Sequence, residues 1–119
     1  MDKISVNNIS CQAYVGVLPQ EQENPQQIAI DLTLSLDLKL AIQKDQVKLT
    51  VDYKEIVERV ERTLSKRKFK LLETLADCVC RLHLTDTRIK TAHVKVRKFP
   101  ESLRNRVDYV EVEIIRAPD

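Results

Sequence analysis

The sequence predicts an α+β fold, in which a four-stranded antiparallel sheet is covered on one face by two helices. Three observations lead there. The run IAIDLTLSLDL places Ile or Leu at every second position, with Ala, Asp, Thr and Ser between them. Two consecutive stretches carry apolar residues at helical spacing, and the patterns come in the order strands, two helices, strands, which is ββααββ.

In residues 28–38, Ile28, Ile30, Leu32, Leu34, Leu36 and Leu38 share one face of a long strand. Residues 4–17, with Ile4, Val6, Ile9, Tyr14 and Val15, read as its antiparallel partner across the polar loop LPQEQENPQ. After a turn over residues 44–48, Tyr53, Ile56, Val57, Val60 and Leu64 form one stripe of an amphipathic helix. Asp52 before it and Glu55 three residues on resemble a capping box, and SKRK at 65–68 gives a basic last turn. A second helix over 71–84 carries Leu72, Leu75, Ala76, Val79 and His83 on its stripe. Strands over 91–98 and 107–116 close the chain.

The 119 residues suffice for one core, so residues 1–119 are expected to form a single domain. With 43% hydrophobic and 32% charged residues and a mean hydropathy of −0.31, the composition excludes a disordered or membrane-spanning chain. The longest apolar region is broken by Asp31, Asp37 and Lys39, and the segment MDKISVNN lacks a signal-peptide core. A cytoplasmic protein is expected. A net charge of +2 does not call for a nucleic acid or another polyanion. Three cysteines without metal-ligand spacing read as free thiols, with Cys78 and Cys80 on different helix faces. Neither His83 nor His93 stands in a metal-binding pattern, so no metal site is expected.

The sheet face away from the helices carries Asp31, Thr33, Ser35, Asp37, Thr91, His93, Lys95, Arg97, Glu111 and Glu113. Such a face suits water or a wet channel. Long unpaired edge strands invite pairing, and sheets from several subunits can satisfy them by closing a barrel.

A few residues stand out chemically. Lys98 has the parity of Ala92, Val94 and Val96, on the helix-covered side, just before Phe99 and Pro100. It either snorkels out at the sheet edge or serves as a partly desolvated proton donor or base. Glu73, in the first turn of the second helix, either complements the helix dipole or receives paired N–H groups of a guanidine-like heterocycle. By default Glu21 is solvated in its loop and Tyr53 is packed in the core. Gly16 is the only glycine, so its position should matter. No phosphate-binding loop, nucleotide fingerprint or Ser/His/Asp arrangement is present.

Four stretches in register complete the reading: YVGVLPQEQENPQQIAIDLTL, LTVDYKEIVERV, FKLLETLAD and VKVRKFP. With their glycine, glutamate and glutamine, Thr-Val-x-Tyr, Leu-Leu-Glu and strand-end lysine, they resemble the dihydroneopterin aldolase family. The resemblance covers nearly the whole chain and implies the tunnelling fold: four sheets join into a sixteen-stranded barrel, and two tetramers stack into a homo-octamer. It also implies a pterin substrate, no cofactor and sites between subunits. Glu73 would anchor the pterin beside the Leu72 backbone, and Tyr53 and Lys98 would handle protons. Glu21 would meet the hydroxylated side chain, Val51, Gly16 and Val17 would line the pocket, and Gln26 matches the family's glutamine. Tyr53 and Glu21 are expected to face the Glu73 and Lys98 of a neighbouring subunit.

The chain departs from the family at Tyr14-Val15-Gly16, where a Tyr-His-Gly turn is frequent, and at ESLRNRV. The second region resembles the related dihydroneopterin triphosphate epimerases, with Arg104 and Arg106 placed to meet a phosphorylated side chain. A reading of another class is a ring-forming binding protein that uses KRKFK at 66–70 against phosphates, or merely solvates it at a helix end.

Overall fold

The computed structural model describes residues 1–119. In chain order it contains β1 (Asp2–Val15), α1 (Pro19–Glu23), β2 (Gln26–Leu36), α2 (Lys39–Lys44) and a 3-10 turn (Val47–Leu49). There follow α3 (Tyr53–Ser65), β3 (Lys68–Phe69), α4 (Leu72–Leu84), β4 (Thr91–Lys98), a second 3-10 turn (Glu101–Leu103) and β5 (Val110–Arg116). The α+β class and the two long helices agree with the sequence. The sheet, however, has five strands, ordered β3-β1-β2-β4-β5, and is mixed, because β3 runs parallel to β1. Two residues carry no periodicity, which is why β3 leaves no trace in the pattern.

Alternation sets the central strands. β2 pairs with β4 from Ile28 opposite Lys98 to Ser35 opposite Thr91. One face of these strands buries Ile28, Ile30, Leu32, Leu34, Ala92, Val94 and Val96 against the buried stripes of α3 (Ile56, Val60, Leu64) and α4 (Leu72, Leu75, Ala76, Val79). β2 ends two residues early, because Asp37 turns to accept the Lys39 N–H at 2.9 Å.

β1 keeps its apolar residues inward only by a bulge. Val6 faces Leu32 and Ile9 faces Ile30, so β1 spends one residue more than β2. Asn8 takes the extra turn with φ 57°, and its N–H donates to Asp31 Oδ1 at 2.7 Å. Ile4 and Val6 before the bulge and Ile9, Ala13 and Val15 after it therefore point to the same side, while Tyr14 lies opposite, beneath the Lys68 ammonium at 5.2 Å.

The uncovered face is polar as expected. Arg97 joins Asp31 on β2 at 3.0 Å and Glu111 on β5 at 2.9 Å, and Ser5 meets Thr33 at 2.9 Å. β3 covers only Tyr14 and Val15 of the outer edge of β1, and the outer edge of β5 is unpaired. The molecule measures 50 × 27 × 25 Å, with a radius of gyration of 15.5 Å. A compact chain of this length would have about 13.5 Å.

Candidate active site

β4 delivers Lys98 to the end of the sheet with the inward parity read from the sequence. It does not snorkel. Nζ donates to Glu21 Oε2 at 2.6 Å, and the two side chains are only 14% and 16% exposed. Glu21 is not a solvated loop residue either. Pro19 starts α1, and Glu21, its third residue, reaches back to accept the Leu18 N–H at 3.3 Å. Gln26 Nε2 donates to the Val15 carbonyl at 2.6 Å and to Glu21 Oε2 at 3.4 Å. Burial alone would raise the carboxyl's pKa. The Lys98 hydrogen bond and charge, with the Leu18 and Gln26 donors, outweigh it and hold Glu21 below its ordinary value.

Gly16 explains itself here. Its φ is +140°, and a Cβ would lie 2.2 Å from Glu21 Cδ and Oε1, so only glycine lets the carboxylate reach Lys98. Val17 follows it, 68% exposed. A cleft of about 300 Å3 opens beside Glu21, bounded also by Leu18, Gln26, Phe99 and Ser102.

Gln22 has a role that sequence reasoning missed. Its Nε2 donates to the Gly16 carbonyl at 2.6 Å and to the Phe69 carbonyl at 2.8 Å, and Gly16 N–H donates to Phe69 O at 3.0 Å. Phe69 closes β3, just ahead of α4. The carboxylate helix and the start of α4 are thus bound to one strand end. At that start Leu72 is buried and Glu73 is exposed in the first turn.

Val51 and Tyr53 are elsewhere. Val51 is buried, but Tyr53, the first residue of α3, is 69% exposed, against the core position its stripe predicts. From Tyr53, α3 runs thirteen residues, about 20 Å, before the chain reaches β3 beside Gly16. Lys90 N–H bonds Ser35 O, and Arg88 bonds the carbonyls of Lys48 and Thr50, so residues 48–53 sit at the Thr91 end of β4. Lys98 is seven residues along, about 23 Å away. The expected partition is therefore corrected: Glu21 belongs with Lys98 in one chain, and Tyr53 and Val51 occupy the opposite end.

The profile of the family described as dihydroneopterin aldolase matches residues 4–115. The chain belongs to the dihydroneopterin aldolase family. It is 34% identical over 116 residues to the dihydroneopterin aldolase of Methylorubrum extorquens, covering 97% of this chain and 89% of that one. To the enzyme of Staphylococcus epidermidis it is 32% identical, covering 99% and 98%. Among solved structures, Escherichia coli dihydroneopterin aldolase in complex with neopterin superposes with a TM-score of 0.89 at 26% identity, over 98% of this chain and 100% of that one.

As a member of the dihydroneopterin aldolase family the chain still differs from the sequence reading in detail. The four basic residues of the KRKFK cluster are exposed just past α3, as a solvated helix end requires, but Lys68 and Phe69 also form β3, Phe69 is buried, and Arg67 lies 4.6 Å over its ring. Arg104 pairs with Glu101 at 3.2 Å on the open surface. All three cysteines are free, with Cys80 buried and Cys78 half-buried. No three His, Cys, Asp or Glu side chains lie close enough together to hold a metal ion, and no helix is long and apolar enough to cross a membrane.

Proposed function

We propose that this protein cleaves 7,8-dihydroneopterin by a retro-aldol reaction into 6-hydroxymethyl-7,8-dihydropterin and glycolaldehyde, without metal or cofactor. The observation that carries the reading is the half-buried Lys98–Glu21 pair at 2.6 Å, in a chain of this family. The side-chain hydroxyl on the leaving carbon loses its proton, the adjacent carbon–carbon bond breaks, and glycolaldehyde leaves with the new carbonyl. The electron pair runs into the substrate's own ring imine, whose nitrogen takes a proton. The ring nitrogen gives its proton back as the carbon left on the ring is protonated, so the one proton lost by the hydroxyl equals the one gained by carbon, and the sink that other aldolases build from a lysine imine or zinc is not needed.

Lys98 supplies and recovers protons at the ring, and Glu21 holds it turned inward while meeting the hydroxylated side chain. Tyr53 exchanges the proton of the reacting hydroxyl. Each such group contributes on the order of 10²- to 10⁴-fold. Glu73 anchors the pterin beside Leu72, while Val51, Gly16, Val17 and Gln26 shape the pocket.

The site is shared between subunits. Tyr53 sits at the Thr91 end of β4, about 23 Å along the strand from Lys98 in the same chain, so a reaction that uses both draws them from two. Two unpaired sheet edges, a polar sheet face and an elongated subunit support closure of four sheets into a barrel, two of which stack as an octamer. Residues 1–119 act as one domain, in the cytoplasm.

Turnover of dihydroneopterin with product identification tests the reaction, and recovery of an epimerised substrate without glycolaldehyde would assign epimerisation instead. Lys98→Ala is expected to lower turnover at least ~10²-fold with assembly intact. Reassembling Lys98→Ala with Tyr53→Phe subunits should restore part of the activity. A mixed oligomer as inactive as its components would exclude the shared site.

A further inference from the structure

Lys98 and Tyr53 are held in different ways. Lys98 is fixed by its own contacts, whereas the Tyr53 ring is largely exposed and gains its place only from the backbone that carries it. That backbone is clamped at one point. Arg88 Nη1 donates to the carbonyls of Lys48 at 3.2 Å and Thr50 at 2.7 Å. These are the hydrogen bonds that tie residues 46–51 to another element, since Leu49 and Thr50 N–H bond only within their own turn, to Gln46 and Val47.

The guanidinium is itself aimed. Nε donates to Asp86 Oδ1 at 3.0 Å and Nη2 to Asp86 Oδ2 at 2.6 Å, while Arg88 N–H also meets Oδ1 at 3.0 Å. A planar fork held on one side by a carboxylate leaves its other edge in a fixed direction, which a lysine would not reproduce. Directly after Thr50 come the buried Val51, then Asp52, whose carboxylate caps α3 through the Lys54 N–H at 3.0 Å, then Tyr53. The clamp therefore sets where α3 begins.

We propose that Arg88, oriented by Asp86, is a positioning residue that fixes the Val51–Tyr53 segment for the site completed by a neighbouring subunit's Lys98. The inference rests on the shared-site reading above. Arg88 touches no reacting atom and acts only through the segment it holds.

The test compares kcat and KM for dihydroneopterin in Arg88→Ala, Tyr53→Phe and the double variant, with amide hydrogen exchange over residues 49–53 in the assembled protein. Arg88→Ala is expected to lower kcat roughly ten- to hundredfold, less than Tyr53→Phe does, and to speed exchange in that segment. In the Tyr53→Phe background it should lower kcat no further. Losses that multiply in the double variant, or unchanged exchange over residues 49–53, would overturn the proposal. So would a wild-type kcat in Arg88→Ala while Tyr53→Phe is impaired. A Tyr53→Phe protein that turns over normally overturns the role of Tyr53 instead, and the exchange data then still decide whether Arg88 holds the segment. If Arg88→Ala fails to assemble, Asp86→Asn keeps the guanidinium but loosens its aim, and the same comparisons apply with a smaller loss.

Discussion

The two ends of the β4 strand solve opposite problems. At the Lys98 end the functional groups touch one another: lysine on carboxylate, carboxylate on backbone N–H, glycine making room, Gln22 drawing two carbonyls together. At the Thr91 end Tyr53 touches little, and order resides in the main chain beneath it, through Arg88 and the buried Val51. The first end is preorganised within a subunit. In the shared-site proposal the second is a presented group, exposed on an ordered base for a partner on another molecule. A residue's exposure in an isolated subunit therefore says little about whether it is functional, and much about which side of an interface completes it.

The sharpest way to break this contrast is at Gly16. Gly16→Ala puts a methyl group where the Glu21 carboxylate lies, on a backbone at φ +140°. We expect turnover to fall at least ~10²-fold, with a strain cost of roughly 1–3 kcal/mol in thermal melting. A protein that melts and turns over as before would mean that the Lys98 end is not preorganised. Next comes Glu73→Gln, which removes a charge from an exposed position at that end. Neopterin affinity should drop about ten- to hundredfold, as expected when a charge-assisted contact is lost, while the melting temperature stays within experimental scatter.

The smallest effect is one of pH. His83 is buried, its Nδ1 donates to Val79 O at 2.9 Å, and it lies against the Ile56 backbone and Arg59 of α3. Burial first, and the Arg59 charge, lower its pKa from 6.5 despite the carbonyl contacts. As pH falls below 6.5 the unfolded chain binds a proton that the native chain resists, so stability declines by at most about 1.4 kcal/mol per pH unit until the lowered value is reached. The Glu21 carboxyl, lowered from 4.5, contributes stability above that value and loses it on further acidification. Melting between pH 7 and pH 5.5 should thus report the α3–α4 packing, while further acid reports the Lys98 end through Glu21 together with the Thr91 end through Asp86, whose carboxyl the Arg88 hydrogen bonds hold below its ordinary 3.8. His83→Leu should flatten the upper window alone.

Much of this was legible in the sequence where a periodic pattern existed. β4 occupies the residues its alternation defines, and α3 and α4 follow their apolar stripes to within a residue. β3, α1 and α2 are too short for a period. The bulge at Asn8 leaves only a switch of apolar parity between Val6 and Ile9, a mark that a strict period of two passes over. Of the site, Lys98 betrayed itself by parity, a charge where a hydrophobe was due. Its pairing with Glu21 crosses most of the chain and no spacing rule reaches that far. Gln22 and Arg88 bind main-chain carbonyls, which every residue has, so their partners left no mark in the side-chain pattern.

The Lys98–Glu21 contact joins residues 77 positions apart. During synthesis Glu21 therefore emerges long before its cation exists, and the β1–β2 hairpin waits without the strand that makes β2 a central one. The arrival of β4 makes β2 a central strand and neutralises the carboxylate in the same event, before β5 adds along the outer side of β4. A nascent or truncated chain that stops short of residue 98 therefore has neither a central β2 nor the cation that partners Glu21.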